Sequence, residues 1–167
     1  TVRCALMDVC GRLNDEKLIR LLNTACHAQE ETEKNAAIQA LAKSESPEAL
    51  TCLVNLPDTI TGLSQRTLVF RGIARLASDS GIDETEREEV LTKALALTEH
   101  PAEQRLILGA LGSCPTLGTL KLAQTYLDKD GVVAEATVAW GQIAKVLVAD
   151  NRDTIGGVFP EVMHRAE

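Results

Sequence analysis

The chain has few aromatic residues and no excess of positive charge. Only one Trp, one Tyr and two Phe occur among its 167 residues. So few rings argue against a β-sandwich core and against a surface on which nucleobases stack. Lys and Arg number 17 against 24 Asp and Glu, which gives a net charge of −7. Because nucleic-acid binding relies on clustered basic residues, we expect no nucleic-acid partner.

Long apolar runs are also missing. No stretch approaches the ~20 apolar residues that span a bilayer, so we expect no membrane partner. The chain begins Thr1-Val2-Arg3, without Met and without a basic stretch that leads into an apolar export signal. We interpret it as a piece of a longer protein.

The five cysteines form no C-x-x-C pair, and their number is odd. A complete disulfide framework and a ribbon-type zinc site are therefore both poorly supported, and we expect buried free thiols. Cys26 and His27 are neighbours, but adjacent residues on a helix point about 100° apart. We expect Cys26 to pack in the core rather than to act as a nucleophile.

Signatures of enzymes are absent as well. The sequence has no H-E-x-x-H, G-x-S-x-G, P-loop or G-x-G-x-x-G motif. His27, His100 and His164 lie far apart along the chain, so we expect no metal site. Two acidic runs, 30–33 and 83–89, stand at predicted helix starts, where carboxylates complement the helix dipole. We therefore predict no catalytic residue, no cofactor and no enzyme activity.

Helical periodicity runs through nearly the whole chain, and no strand pattern competes with it. Short polar breaks separate about ten predicted helices, most of them of ordinary globular length. Ser46-Pro47 places a capping residue before a proline at the first helical position.

Five of these helices resemble one another. Each opens with polar residues and then turns apolar; aligned on one position, they carry Arg3, Lys34, Arg66, Arg105 and Glu135. The intervals between these positions are 31, 32, 39 and 30 residues. A recurring period of this size is typical of stacked helical hairpins, because one hairpin cannot bury its apolar face alone.

The alignment also predicts which positions are buried. The row three residues after the aligned position is expected to be core: Leu6, Ala37, Val69, Leu108 and Val138. Four glycines lie inside predicted helices, Gly72, Gly109, Gly112 and Gly141. Since glycine weakens a helix, we expect them to allow close approach of neighbouring helices.

The repeated unit, a polar residue with Arg, an apolar helix, a break at Asp or Pro and a second helix, resembles bacterial HEAT-repeat proteins. The most diagnostic stretch runs from Glu103 to Gly112, and Leu127-Asp128 followed by Ala134-Glu135-Ala136 is similar to the next repeat. The resemblance covers residues 2–149. It implies an all-α, right-handed superhelix and, because related modules occur in large exported bacterial proteins, an exported or periplasmic location, with the cytoplasm as the alternative.

We predict one domain over residues 1–167, built of about five hairpins. The expected repeats are 1–28, 29–57, 58–99, 100–128 and 129–149. The last segment, 150–167, departs from the repeat and is expected to cover the final hairpin, through Phe159 among others. We expect a monomer.

The predicted function is that of a non-catalytic scaffold which binds a protein or peptide, possibly an acidic one, on the concave helix face. The alternatives are a spacer between domains and, less favoured, a HEAT-like lyase or DNA glycosylase. The candidate binding residues are Arg12, Lys43, Arg71, Arg75 and Trp140. Arg and Trp are enriched at binding hot spots, although a slip of one residue would bury Trp140 in the core.

The absence of a metal-binding pattern leads to a first prediction. Because no ligand set is recognisable, addition of EDTA should leave the melting temperature unchanged when helicity is followed by circular dichroism. A large fall in the melting temperature with EDTA would contradict it.

Overall fold

The chain is all-helical, as predicted. The computed structural model describes residues 2–60, 62–79 and 81–165, and no strand occurs among them. Ten α-helices occupy this part of the chain: α1 Val2–Arg12, α2 Glu16–Ala25, α3 Glu31–Lys43, α4 Pro47–Val54, α5 Leu63–Ala77, α6 Glu84–Ala96, α7 Pro101–Leu111, α8 Leu117–Gln124, α9 Val133–Leu147 and α10 Arg152–Arg165. A short 3₁₀ helix, Pro57–Thr59, follows α4.

Several helix starts lie where the sequence predicts them. Ser46 is the residue before α4, and Pro47 occupies the first turn. The Ser46 hydroxyl contacts Glu48 and accepts no backbone N–H of α4, so only its position is that of a cap. Asp83 does cap α6, since its side chain accepts hydrogen bonds from the N–H groups of Thr85 and Glu86.

The chain divides into two compact units, residues 1–76 and 77–167. Their charges differ. The first contains nine basic and nine acidic residues, whereas the second contains eight basic and fifteen acidic residues. The whole net charge of −7 therefore belongs to the second unit.

In the first unit, α1 and α3 lie side by side and run parallel. Near their starts, Arg3 Nη1 lies 3.2 Å from Glu33 Oε2. Beyond their ends, Asn14 Oδ1 accepts hydrogen bonds from Ser44 Oγ at 3.4 Å and from the N–H of Glu45 at 3.3 Å. The two helices are thus held at both ends by polar contacts.

Glycine permits the close approach of these helices. A Cβ added at Gly11 would lie 2.6 Å from the carbonyl oxygen of Ala40 in α3. A Cβ at Gly72, in α5, would lie 3.0 Å from the Cα of Ala42 and 3.0 Å from Cδ1 of Leu53. The prediction of close packing is therefore right for Gly72, and Gly11 was not among the predicted glycines.

In the second unit, α7 and α9 form a comparable pair. Arg105 Nε donates a hydrogen bond of 2.9 Å to the carbonyl oxygen of Gly131, just before α9, and lies 3.5 Å from Glu135 Oε1. Gly131 has a φ of +84°, which suits glycine at this turn. At the end of α7, Gly112 faces the side chain of Gln142.

The other two predicted glycines do not serve close packing. A Cβ at Gly109 or at Gly141 would have no neighbour within 4 Å. The expectation is wrong for both, because each faces away from its neighbouring helices.

Helix α10 lies against α9 and covers Trp140. Its buried residues are Ile155 and Val162, while Phe159 contacts Trp140 with ring centroids 6.2 Å apart. Phe159 itself remains half exposed. The segment that departs from the repeat is therefore a helix that packs on α9.

The predicted core row is buried only in its middle members. Ala37, Val69 and Leu108 are completely buried, but Leu6 and Val138 are each 58 % exposed. Leu6 belongs to the first helix and Val138 to α9. The two exposures have different physical reasons. Leu6 lies on a face of α1 that no described residue covers, whereas the register of α9 is shifted by one residue, so that Ala139 is buried in place of Val138.

The glycine geometry leads to a second prediction. Gly11→Ala should destabilise the protein by about 1 kcal/mol, because the clash with the Ala40 carbonyl costs ~1–3 kcal/mol and exceeds the ~1 kcal/mol gained in helix propensity. Gly109→Ala meets no neighbour and should stabilise by about 0.5–1 kcal/mol. Urea unfolding of both variants measures the difference, and equal effects of the two substitutions would contradict the packing argument.

Candidate functional site

The four predicted basic residues lie in the first unit, on three of its helices. Arg12 ends α1, Lys43 ends α3, and Arg71 and Arg75 belong to α5. All four are exposed; the side chain of Arg12 is 72 % exposed and that of Lys43 60 %. We name these four residues the basic strip.

Arg12 and Lys43 share one acidic neighbour. Asp8 Oδ2 lies 2.9 Å from Arg12 Nη2, and Asp8 Oδ1 lies 3.6 Å from Lys43 Nζ. Exposed ion pairs of this kind contribute only ~0–1 kcal/mol. Asp8 therefore brings the ends of α1 and α3 together electrostatically while leaving both cations accessible to solvent.

Arg75 has a structural task at the end of α3. Its Nη2 donates a hydrogen bond of 3.0 Å to the carbonyl oxygen of Ala42 and a second bond to that of Ser44. The last carbonyl groups of a helix lack partners within the helix, and a cation there also complements the helix dipole. Part of the Arg75 guanidinium is thus engaged with backbone.

Arg71 differs from the other three cations of the basic strip, because it neither pairs with Asp8 nor binds the carbonyl groups at the end of α3. No hydrogen bond or ion pair joins it to any residue that the structure describes, and its side chain is exposed. It lines a shallow depression between α3 and α5 together with Ala42, Lys43, Glu45, Leu68, Gly72 and Arg75. Leu68 supplies an apolar wall one helical turn before Arg71. Gly72 is itself buried, since it packs against Ala42 of α3.

Trp140 does not belong to this surface. It lies in α9 of the second unit and is only 2 % exposed. The register slips by one residue here: Trp140 and Ala144 face the core, whereas Gly141 and Lys145 face solvent. The apolar ring is buried against Phe159, so the assignment of Trp140 to an exposed strip is wrong and its alternative, core packing, is right.

Sequence reasoning missed the residues that shape the depression. Leu68 precedes Arg71 by three positions, a spacing that places both on one helix face, and this signal was present in the sequence. Glu45 and the backbone carbonyls that bind Arg75 lie in the segment at the end of α3. Their contribution depends on the stacking of α5 on α3, which a single helix pattern does not contain.

The thiols divide by burial. Cys26 and Cys114 are buried, Cys4, Cys10 and Cys52 are partly exposed, and none of the five forms a disulfide. Burial raises the pKa of Cys26 from 9.0 to about 12, and the nearby Cys52 adds to the effect. Burial also raises the pKa of Cys52 and of Cys114. A raised pKa keeps the thiol neutral and unreactive, as a core residue rather than a nucleophile.

No group of three His, Cys, Asp or Glu side chains that could hold a metal ion occurs within residues 2–60, 62–79 and 81–165. Of the three histidines, His100 precedes α7, where Glu103 accepts hydrogen bonds from the N–H groups of Glu99 and His100 at 2.8 and 3.3 Å. Glu103 is fully buried. Its carboxylate therefore serves the start of α7.

Over the same described ranges, no helix combines the length and the apolar character needed to cross a bilayer.

The raised pKa of Cys26 leads to a third prediction, on alkaline stability. Because the folded state favours the neutral thiol, its contribution is complete below the unfolded pKa near 9.0 and is lost as the pH rises toward about 12. The free energy of unfolding should therefore fall above pH 9, and Cys26→Ala should flatten this fall although it lowers stability below pH 9. Urea unfolding across this pH range measures both slopes; parallel slopes would contradict the assignment.

No protein-family model, curated protein or solved structure matches this chain. The resemblance to HEAT-repeat proteins therefore stays a prediction from the residues that carry it.

Proposed function

We propose that the chain is a HEAT-like helical-repeat module, a right-handed superhelix of stacked hairpins, which acts as a non-catalytic scaffold and binds an acidic peptide on the basic strip. The observation that carries the proposal is Arg71: an exposed guanidinium without a partner among the described residues, beside an apolar wall and two further cations.

Polar contacts between the first helix of one hairpin and the first helix of the next support the proposed repeat. They join α1 to α3, α3 to α5 and α7 to α9. The spacing of each contact is close to the repeat interval: Arg3 to Glu33, Asn35 to Gln65 and Arg105 to Glu135 are all 30 residues apart. Gln65 Nε2 donates to Asn35 Oδ1 at 2.7 Å and to Glu31 Oε1 at 2.5 Å. In each pair, a residue in the first turns of one helix contacts the first turns of the corresponding helix in the next hairpin. Such contacts are expected if successive hairpins are related by one repeated displacement.

The depression suits a particular kind of ligand. Arg71 offers a planar fork of N–H donors, the geometry that a carboxylate accepts in two parallel hydrogen bonds. Leu68 offers an apolar contact to a small side chain next to that carboxylate. Lys43 and Arg75 extend the positive charge along the strip, while Glu45 limits it on one side. An extended peptide with alternating acidic and apolar residues fits this pattern.

The strip binds no partner strongly through charge alone. Asp8 and Glu45 offset half of its four positive charges, and salt at physiological strength screens exposed charges beyond ~8 Å. Affinity therefore depends on the direct contact at Arg71 and on burial against Leu68. Such a distribution is typical of recognition surfaces, where a few residues supply most of the binding free energy.

The fourth prediction tests the strip with a fluorescein-labelled peptide of about ten residues that alternates Glu and Leu. Binding, followed by fluorescence anisotropy at about 50 mM salt, should weaken roughly tenfold or more in Arg71→Glu, because a charge-assisted hydrogen bond contributes ~1.5–3 kcal/mol and each ~1.4 kcal/mol is a factor of ten.

The matched control is Arg20→Glu, which changes the net charge equally. Arg20 lies in α2, is 75 % exposed and pairs with Glu16 of its own helix. Binding to this variant should stay within about twofold of the parent chain. The proposal is wrong if the peptide does not bind at about 1 mM protein, or if the two variants lose affinity equally.

A further inference from the structure

The first helix carries an exposed apolar row that we name the α1 row. It consists of Val2, Leu6, Val9 and, directly after the helix, Leu13, which are 78, 58, 51 and 62 % exposed. Spacings of four, three and four residues place all of them on one face of the helix. Each is a large apolar side chain that a folded chain ordinarily buries.

The equivalent row of α3 is covered by α1. It lies 31 residues further on, at Glu33, Ala37, Ala40 and Ser44. Three of the four have a direct neighbour on the α1 side: Glu33 contacts Arg3, the Ala40 carbonyl faces Gly11, and Ser44 donates to Asn14. The fourth, Ala37, is fully buried.

The row of α5 is covered in the same way, 32 residues further on. Its members are Gln65, Val69, Gly72 and Leu76. Gln65 contacts Asn35, and Gly72 faces Ala42, both in α3. Val69 and Leu76 are buried. In two successive repeats, therefore, the preceding parallel helix occupies this face.

Among α1, α3 and α5, α1 is the helix whose row is both uncovered and wholly apolar. The outer face of a terminal repeat is ordinarily polar, because it faces water. Next to the row, a groove between α1 and α2 is lined by Leu6, Met7, Cys10, Leu21 and Leu22, with Arg3 and Glu33 at its rim. Leu21 is itself 60 % exposed.

We propose that the α1 row is a docking surface for an α-helix of a further helical hairpin, which lies parallel to α1 as α1 lies against α3. The inference rests on the repeat arrangement proposed above but not on peptide binding. The occupant's chemistry follows from the contacts that it replaces. Where α1 presents Arg3 to Glu33, the occupant meets Val2 and needs an apolar residue. Where α1 presents Gly11 to Ala40, the occupant meets Val9 and needs glycine.

The fifth prediction uses the chain's own hairpin as the probe. A second copy of residues 1–31 is placed directly before Thr1, so that Glu31 precedes Thr1 as it precedes Thr32 in the parent chain. The added copy carries Arg3→Leu, which supplies the required apolar residue and gives a distinct mass to those peptides that include position 3. Hydrogen exchange of residues 2–13 in the original copy should slow by roughly tenfold or more, and the urea midpoint should rise by about 0.5 M.

Substitutions in the original copy show whether the α1 row is responsible. Leu6→Glu should change the urea midpoint of the parent chain little, since Leu6 is exposed, but should abolish the gain in the extended chain. Ala5→Glu is the matched control, because Ala5 is exposed on the same helix but lies outside the row, and it should preserve the gain.

Three results overturn the proposal. The first is an extended chain without added protection of α1, and the second is a gain that survives Leu6→Glu. The third is a parent chain that dimerises in sedimentation at about 100 µM and becomes monomeric with Leu6→Glu, since the occupant would then be a second copy. Failure of the peptide titration with Arg71→Glu would leave all of these measurements unaffected, because Arg71 takes no part in the α1 row.

Discussion

The first unit depends on how closely its parallel helices approach. Gly11 lets α1 come to within contact of the Ala40 carbonyl, and Gly72 does the same for α5 against Ala42. At such distances even a methyl group must displace backbone, so the helices are held in one register rather than free to slide. In this register, Arg3 pairs with Glu33 near the starts of α1 and α3, and Asn14 accepts its hydrogen bonds beyond their ends.

That register determines what the basic residues do. The same stacking that brings α5 to α3 puts Arg75 at the exposed carbonyls of Ala42 and Ser44. The second unit uses an equivalent device, since Arg87 donates to the carbonyl oxygen of Ser113 at 3.1 Å beyond the end of α7. An arginine in a repeat row is therefore first a candidate for capping a neighbouring helix. Arg71 stands out because no described residue occupies it in this way.

The sequence predicts what depends on one helix and fails where a neighbour decides. The starts of α4 and α6 follow from local chemistry and lie where expected: Pro47 suits the first turn of a helix, and Asp83 caps the helix that begins at Glu84. The orientation of Trp140 does not follow from α9 alone. A shift of one residue in the repeat alignment exchanges an outward for an inward position, and the neighbours of α9 determine which face is buried. The exposure of Leu6 also depends on a neighbouring helix. Its row is buried in α3 and α5, where another helix covers it, and exposed in α1.

The α1 row and the basic strip are independent surfaces although both include residues of α1. Arg12 lies about 90° around the helix from the centre of the row, since each residue advances by ~100°. A helix seated on Leu6 and Val9 would therefore leave Arg12 and its partner Asp8 accessible. Stacking extends the array along one direction while the strip faces another, so the addition of a hairpin lengthens the surface that carries the strip. A peptide long enough to pass Arg71, Lys43 and Arg12 in turn would then meet the added hairpin next, which is how a repeat array enlarges a binding surface without altering the helices already present.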